Sequence, residues 1–305
     1  MDRIDQLRIF IRVAHSGGFT NAAGQLGVPR PTVSLAIQRL EASLGVRLFD
    51  RTTRRVSLTR DGDALLERAA ALVADSEELE QLFRPRGRAL TGSLRVDLPS
   101  RLARRQVAPA LPAFLALHPG IDVDLGSSDR AVDLLHEGID CALRVGELQA
   151  SSLVARPLGV FRLINCASPA YLARHGVPQQ PGDLLQQHQA VCYASQPGAR
   201  AARWEWQEDG QDRSLVMPTR VSVNNVETYI ACCLAGLGLI QIPAFDVREH
   251  LESGELVEVL PDWLAAPMPV QLVYPHQRYL SHRVRVFGDW LAEILAPCLG
   301  ATKEA

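Results

Sequence analysis

The hydrophobic pattern of the first sixty residues predicts three short helices. Apolar side chains recur at three- or four-residue steps in residues 1–13, 20–26 and 30–44. Ser16-Gly17-Gly18 is expected to end the first helix, because adjacent glycines are costly inside a helix. Thr20 suits the N-cap of the second helix, and Pro31 suits the first turn of the third. Two short helices around a tight glycine turn predict a helix-turn-helix.

The third helix is the predicted DNA-reading element. Val33, Ile37 and Leu40 define its buried face, so other side chains must project from the remaining faces: Arg30, Thr32, Ser34, Leu35 and Gln38. In a helix-turn-helix, the N-terminal part of this helix meets base edges in the major groove. Arg30 can bond guanine O6 and N7, and Gln38 can bond adenine. The first amides of the helix can hold a phosphate.

Two short strands are predicted between Val46 and Leu58. The basic run Arg51-Thr52-Thr53-Arg54-Arg55 lies between them and is expected to form the tip of a hairpin, or wing. Arginines at such a tip bind phosphates without choosing a sequence, and their contribution weakens with salt. The expected architecture of residues 1–59 is therefore a winged helix-turn-helix, mainly α, with Arg51, Arg54 and Arg55 against the DNA backbone.

Charge divides the chain into a basic head and an acidic remainder. The 305 residues have a formal net charge of −2, yet residues 1–60 hold ten arginines against four acidic residues. A basic segment attached to an acidic body is typical of a phosphate-binding module joined to a separate domain. Chance clustering would explain the abundance of arginine but not this imbalance.

Residues 59–83 predict one long helix. Its apolar positions include Leu65, Leu66, Ala69, Leu72 and Leu79, and it contains no proline. An isolated helix of this length would expose an apolar stripe, which favours a dimerisation helix over a solvated spacer. The proline- and glycine-containing run at 84–88 ends it. We therefore expect a linker, dimerisation helix and hinge over residues 60–90, before a domain spanning 91–305.

From residue 92 onwards, predicted strands alternate with helices. Strands at 93–98, 121–126 and 141–145 are separated by helices at 103–118 and 129–137, which favours a largely parallel sheet. A second α/β unit covers about 164–265. A strand at 268–274 and a helix at 284–295 then return to the first unit, which begins at 91 and ends near 163. Two crossings predict a two-lobed α/β domain with a cleft, as in periplasmic solute-binding proteins.

Hydrogen-bonding residues follow the predicted strands where a cleft ligand is expected. Ligands of open α/β sheets bind beyond the carboxyl ends of strands, where helix N-termini present free N–H groups. Three strand ends read Pro99-Ser100-Arg101, Gly126-Ser127-Ser128 and Arg144-Val145-Gly146, and Asn224-Asn225 joins another strand to a helix. Hydroxyls and arginines favour a small anionic or polar metabolite. The alternatives are that Arg144 pairs with Glu147 and that the two serines cap the following helix.

Several motifs of the chain resemble one known family. The combination of F-T-x-A-A, L-x-x-S-L-G-x-x-L-F-x-R and V-x-L-T-x-x-G within residues 19–62 is similar to the DNA-binding domain of LysR-type transcriptional regulators. EGIDCALRVG, SSLVARPLG, ASPAYLARHG and GLGLIQIP resemble the family's sensing domain, so the resemblance covers nearly the whole chain. It implies a regulator that binds double-stranded promoter DNA near its own gene as a homodimer or, by preference, a homotetramer. It also implies RNA polymerase and a small-molecule effector as partners.

The resemblance assigns roles by position. Family contacts with DNA fall on Arg30, Pro31, Ser34, Leu35 and Arg54, and contacts with the effector fall on a second set: Ser100, Arg101, Ser127, Ser128, Arg144, Val145, Gly146, Asn224 and Asn225. Pro29 stands where the family often has serine, and Leu35 stands where it often has arginine. The second departure removes a phosphate or base contact and predicts a DNA site that differs from the family norm. The alternative is that Leu35 belongs to the core.

Other functional classes find less support in the sequence. A G-x-S-x-G nucleophile motif and a G-x-x-x-x-G-K-[ST] phosphate loop are both absent, and His276 and His282 lack a third metal ligand. We therefore predict no enzyme activity, cofactor or metal, and six reduced cysteines. Neither a signal peptide nor an apolar run of the roughly 18–20 residues in a membrane span is evident, which predicts a cytoplasmic protein. An effector-independent regulator working through its oligomeric state is the alternative, and a solute-binding or enzymatic α/β protein is a third interpretation.

Overall fold

The first elements form a compact head around one apolar core. The computed structural model describes residues 1–51, 56–82, 90–130, 132–148, 153–194, 201–275 and 281–300. The elements of the head are α1 (Arg3–Ser16), α2 (Phe19–Leu26), α3 (Arg30–Leu44), β1 (Phe49–Arg51), β2 (Val56–Leu58) and α4 (Arg60–Leu82). The strands β1 and β2 pair antiparallel, as the predicted wing requires. Phe10, Val13, Ile37 and Leu40 are fully buried between the helices.

The expected cap of α2 at Thr20 was wrong by two residues. The helix begins at Phe19, and Gly18 occupies the N-cap position without a side-chain hydrogen bond. Phe19 is buried, with its ring 5.8 Å from that of Phe49 in an edge-on arrangement. Helical backbone at Phe19 directs that ring into the core, so the helix starts before Thr20, whose side chain is exposed.

The long helix α4 joins the head through its first turns and then exposes apolar side chains. Leu66 and Ala69 are buried in the core of the head, whereas Leu72 and Leu79 are 53% and 59% exposed. These two leucines are seven residues apart, so they lie on one side of the helix. The first part of the predicted apolar stripe therefore packs into the head, whereas Leu72 and Leu79 are left exposed within the described part of the chain.

Gly62, the last residue of the V-x-L-T-x-x-G motif, lies too close to Leu48 for any larger residue, and this contact predicts an effect on stability. A Cβ atom on Gly62 would lie 2.1 Å from the carbonyl oxygen of Leu48, which is backbone. We expect Gly62→Ala to lower the free energy of unfolding of the head by about 1–3 kcal/mol, because that backbone must shift. The matched control is Gly24→Ala in α2, where a Cβ meets no atom within 4 Å.

Gly24→Ala is expected to stabilise the head by up to about 1 kcal/mol, because alanine favours a helix interior. Urea unfolding of both variants, followed by circular dichroism, measures the two changes. Equal effects of the two substitutions would contradict the contact between Gly62 and Leu48.

The remaining elements build two lobes. In chain order they are β3 (Thr91–Leu98), α5 (Ser100–Leu102), α6 (Ala108–Leu117), β4 (Gly120–Ser127), α7 (Leu134–Glu137), β5 (Cys141–Val145), β6 (Leu153–Phe161), β7 (Leu163–Ala167), α8 (Pro169–His175), α9 (Leu184–Gln187), β8 (Ala190–Tyr193), β9 (Ala201–Glu208), β10 (Gln211–Val223), α10 (Val226–Leu234), β11 (Ile240–Pro243), α11 (Arg248–Glu252), β12 (Val257–Glu258), β13 (Met268–Pro275) and α12 (His282–Leu295). A π-helical segment, Ala103–Val107, joins α5 to α6.

The first lobe contains a mixed five-stranded sheet in the order β4-β3-β5-β13-β6. The strand β3 pairs parallel with β4 and β5, but β13 pairs antiparallel with β5 and β6. Two of the four strand pairings are antiparallel, so the prediction of a largely parallel sheet was wrong for the part that contains β13. The cause is topological, because β13 returns from the second lobe and inserts between two strands formed much earlier in the chain.

The second lobe contains two three-stranded sheets, β11-β7-β12 and β8-β10-β9. Two apolar clusters pack around them, one including Tyr171 and Trp204 and the other Tyr229 and Ile242. Trp204 is buried within the first of these clusters. The chain crosses between lobes at Arg162 and again over residues 259–267.

The predicted helix over 129–137 is shorter than expected. Among the described residues of this segment, only Leu134–Glu137 is helical, and Asp133 caps it by accepting from the backbone N–H groups of Leu135 and His136, each at 3.1 Å. Asp129 lies in a bend before this helix, where its carboxylate contacts Ser100. Of the helices that the structure describes, none is long and apolar enough to cross a membrane.

Candidate functional sites

The exposed face of α3 carries the side chains expected to meet DNA. Arg30, Pro31, Leu35 and Gln38 are exposed, and Thr32 and Ser34 are half-buried. At 100° per residue, Pro31, Leu35 and Gln38 point most directly away from the buried face. Leu35 is 45% exposed, so it is not a core residue. Together with Arg30 at the first position of the helix, these side chains offer a cation, an amide and an apolar group, all of which can contact base edges in a major groove.

Short-range contacts fix α3 relative to its neighbours. Gly27 ends α2 at φ +65°, a left-handed conformation that favours glycine, and the carbonyl of Pro29 then accepts from the N–H of Thr32 at 2.9 Å. At the other end of α3, Glu41 Oε1 accepts from the N–H of Leu48 at 2.8 Å and so holds the base of the wing. Arg51 ends β1, whereas Arg54 and Arg55 lie outside the described residues.

Two helix N-termini, one from each lobe, converge on the carboxylate of Asp129. Its Oδ1 accepts from the backbone N–H and the hydroxyl of Ser100 at 2.8 and 2.9 Å. Its Oδ2 accepts from Asn225 Nδ2 at 3.0 Å and from the N–H of Val226 at 3.1 Å. Asn225 Nδ2 also lies 3.2 Å from Ser100 Oγ, so two predicted effector contacts meet across the cleft.

Tyr193 lies close to this group, with its ring 5.5 Å from Tyr229. Burial raises the pKa of Tyr193 to about 12, and the negative charge of Asp129 acts in the same direction. Both phenols therefore stay protonated at neutral pH, since burial also raises the pKa of Tyr229. Tyr193 therefore offers a neutral hydroxyl group near the Asp129 carboxylate, whereas the hydroxyl of the buried Tyr229 accepts from the N–H of Gln241 at 3.2 Å.

Arg101 connects the lobes through buried ion pairs. Its Nε donates to Asp246 Oδ1 at 2.8 Å, its Nη1 donates to Glu227 Oε2 at 2.7 Å, and its Nη2 donates to the Asp246 carbonyl. The side chains of Arg101 and Asp246 are only 6% and 7% exposed. Burial raises the pKa of Asp246 to about 7, and the charge of Arg101 acts in the opposite direction. All three guanidinium nitrogens of Arg101 are thus hydrogen-bonded to groups of the protein.

The outer positions Arg104 and Arg105 extend this network. Arg104 Nη2 contacts Glu227 Oε1 at 2.7 Å, and Arg105 pairs with Glu249. A small cavity of about 170 Å³ opens beside these residues. Its lining residues are Arg101, Arg105, Gln106, Phe245, Asp246, Arg248, Glu249 and Cys298.

Arg144 pairs with Asp97 rather than with Glu147. Its Nη1 donates to Asp97 Oδ2 at 3.0 Å, and Ser128 Oγ lies 3.3 Å from Asp97 Oδ1. The second terminal nitrogen of Arg144, Nη2, is buried without a hydrogen-bond partner. Ser128 does not cap α7, because Asp133 does. Arg144 therefore retains an unused donor near the cleft.

The other predicted effector residues surround these contacts. Ser127 and Asn224 are exposed, and Val145 is half-buried. Gly146 adopts φ +96° and donates its N–H to the Pro269 carbonyl at 2.8 Å. Sequence reasoning missed the four acidic partners Asp97, Asp129, Glu227 and Asp246. Each of these acids pairs with a predicted arginine or serine, but the two partners are separated by no fixed number of residues. No sequence pattern therefore identifies them.

The head also contacts the first lobe directly. His15 Nε2 lies 2.7 Å from the Leu135 carbonyl, and His136 Nε2 lies 2.7 Å from Asp63 Oδ1 of α4. The hydrogen bond with Asp63 raises the pKa of His136, and Asp133 acts in the same direction, whereas burial lowers the pKa of His15 to about 4. His15 is therefore neutral at neutral pH. Among the described residues, no group of three or more potential metal ligands is assembled.

Two protein-family models match the two parts of the chain. Residues 4–63 match the model described as bacterial regulatory helix-turn-helix protein, lysR family. Residues 87–296 match the LysR substrate binding domain. The gap between the two matches, residues 64–86, contains most of α4 and lies within the segment for which the sequence predicted a linker, dimerisation helix and hinge.

Individual relatives agree with these models over nearly the whole chain. The HTH-type transcriptional regulator YhjC of Escherichia coli K12 is 43% identical over 295 residues, covering 97% of this chain and 98% of its own. An HTH-type transcriptional repressor of Pseudomonas aeruginosa is 39% identical over 297 residues, covering 97% and 93%. The solved structure of CrgA, a LysR-type transcriptional regulator from Neisseria meningitidis, is 32% identical with a TM-score of 0.59, covering 95% and 98%.

Proposed function

The chain belongs to the LysR family of bacterial DNA-binding transcriptional regulators, and from this premise we propose that a small anionic or polar effector in its interlobe cleft controls promoter binding. The observation that carries the proposal is the approach of Asn225 Nδ2 to Ser100 Oγ at 3.2 Å, with each residue on a different lobe. A solute that contacts both groups binds the closed arrangement of lobes better than an open one. Differential affinity of this kind is what allows a ligand to shift a conformational equilibrium.

DNA readout is assigned to α3. Arg30 and Gln38 supply hydrogen bonds for guanine and adenine, and the exposed Leu35 supplies an apolar contact for a thymine methyl group. Thr20, Pro31, Thr32 and Ser34 flank them, and the wing arginines Arg51, Arg54 and Arg55 add phosphate contacts. An apolar Leu35 in place of the family's common arginine supports a distinct operator sequence.

Assembly into a dimer is assigned to α4. Leu72 and Leu79, both more than half exposed and seven residues apart, provide an apolar side that a second copy of α4 can cover. Two heads joined in this way bind two half-sites separated by whole turns of DNA. A tetramer would contain two such pairs, and RNA polymerase would be the further partner at the promoter.

The test is footprinting of the purified protein on the DNA immediately upstream of its own gene, across a salt series. We expect protection of two half-sites, with affinity falling about 10³- to 10⁵-fold between 50 and 200 mM salt if six to ten phosphates are neutralised. Selection of bound fragments from sheared genomic DNA extends the test to remote operators. Failure to select any fragment at low salt would overturn the regulator proposal.

A library of small carboxylates, screened by thermal shift and then by footprint, tests the effector.

A further inference from the structure

The Asp129 carboxylate occupies the place that the proposed function gives to an effector. We define the carboxylate seat as four donors: the N–H and Oγ–H of Ser100, Asn225 Nδ2 and the N–H of Val226. Every one of them lies within 3.1 Å of an Asp129 oxygen. Two predicted effector contacts, Ser100 and Asn225, belong to the seat. The chain therefore supplies its own carboxylate to the site.

We propose that Asp129 is an internal carboxylate ligand that holds the two lobes together, and that a free carboxylate effector acts by competing with it for the carboxylate seat. The proposal rests on the proposed function and names the chemistry of its effector, a small monocarboxylate or a larger molecule presenting one such group.

The geometry favours a carboxylate over other groups. Four donors from two lobes face two oxygen atoms, and such donors require an acceptor because a buried N–H without one is costly. Asn225 Oδ1 caps α10 by accepting from Glu227 and Thr228, which leaves only its Nδ2 to face the seat. An ammonium group cannot satisfy these donors. The seat is therefore selective for an anion or another strong acceptor.

The position of Asp129 in the chain makes exchange feasible. It follows β4 in a bend and precedes the capped helix α7, so it belongs to no helix or strand. Lobe contacts that do not involve Asp129 remain when it leaves, because Arg101 separately bridges to Glu227 and Asp246. Displacement of Asp129 therefore breaks one set of contacts between the lobes and leaves the others in place.

Chemical rescue tests the proposal without DNA. Asp129→Ala removes the carboxylate and leaves space for one formate ion. We expect its Tm to fall by about 3–12 °C, because hydrogen bonds to a charged group are removed. Sodium formate, compared with sodium chloride at equal concentration, is expected to raise the Tm of this variant by at least about 2 °C. The Tm of the unsubstituted protein is expected to respond equally to the two salts.

Two further variants separate an emptied seat from simple loss of stability. Asp129→Asn keeps the volume of the side chain but places an amide N–H₂, itself a donor, against donors of the carboxylate seat. We therefore expect a lowered Tm, and no rescue by formate because the side chain still fills the seat. Asp122→Ala, an exposed position on β4, is expected to change neither the Tm nor its response to formate. Amide hydrogen exchange of peptides containing Ser100 and Val226 is expected to accelerate in Asp129→Ala and to slow again with formate.

The outcomes distinguish this inference from the proposed function. If formate stabilises the unsubstituted protein as much as Asp129→Ala, the seat is open to solutes and the inference is wrong, while effector control stands. If the Tm of Asp129→Ala is no lower than that of Asp122→Ala, or if formate does not raise it, Asp129 does not occupy the carboxylate seat and the inference fails. If Asp129→Ala is not recovered folded, an unchanged Tm in Asp129→Asn relative to Asp122→Asn overturns it. A negative DNA footprint alone would affect only the proposed function.

Discussion

Arg101→Ala is expected to lower the free energy of unfolding of the sensing domain by about 3–5 kcal/mol, the cost of leaving a buried charge without its partner. The side chains of Arg101 and Asp246 are almost completely buried, and the guanidinium also contacts Glu227. The matched control is Arg104→Ala, which removes a side chain that is 63% exposed but shares Glu227. We expect the control to cost less than about 1 kcal/mol, because solvent screens an exposed pair.

The effect of Arg101→Ala should depend on pH. Burial already raises the pKa of Asp246 to about 7, and loss of Arg101 removes an opposing influence, so the pKa rises further. An acid whose pKa is higher in the folded state than in the unfolded state loses stability as the pH rises. The variant should therefore be less impaired at pH 6 than at pH 8. Denaturant unfolding of both variants at the two pH values measures this difference, and a pH-independent loss equal to that of Arg104→Ala would contradict the buried pair.

Arg30→Ala is expected to weaken binding to the specific operator by about 5- to 150-fold for each half-site, the value of one bidentate contact with guanine. A dimer carries two copies of the substitution, so its loss is roughly the square of that factor if both heads bind. Affinity for random DNA should fall much less, with a salt slope reduced by about one for each phosphate that the variant no longer neutralises.

The control for Arg30→Ala is Arg213→Ala, which removes the same charge from the β9–β10 pair of the second lobe. We expect this variant to bind both DNAs like the unsubstituted protein in electrophoretic mobility shift titrations. If Arg30→Ala weakens operator and random DNA by the same factor, Arg30 contacts phosphates rather than bases, and the assignment of base readout to it is wrong.

Local patterns predicted the head well because its contacts are short-range in sequence. The bounds of α1, α3 and α4 differ from prediction by a few residues at most, since glycines and prolines mark their ends. The exposed face of α3 also followed from the spacing of Val33, Ile37 and Leu40. Its role in DNA binding stays a prediction.

The cleft was predicted in part. Strand ends indicated Ser100, Arg101, Ser128, Arg144 and Asn225, but not what each contacts. The partners of Arg101 lie 126 and 145 residues away in sequence, and no periodicity reports on such pairs. Asp129 was assigned to a helix, whereas it lies in a bend and its carboxylate accepts hydrogen bonds from the second lobe. Long-range pairing also placed β13 antiparallel in a sheet expected to be largely parallel.

The interior place of β13 in the first sheet, between β5 and β6, has a consequence for protein synthesis. The strand β6 pairs only with β13 among the described strands, and β13 begins at Met268, near the end of the chain. Domains generally fold from the N-terminus while the ribosome is still translating. The head can therefore fold while the first lobe still lacks the strand that joins β5 to β6. A message truncated before Met268 would encode a protein that competes for the operator but cannot complete its sensor.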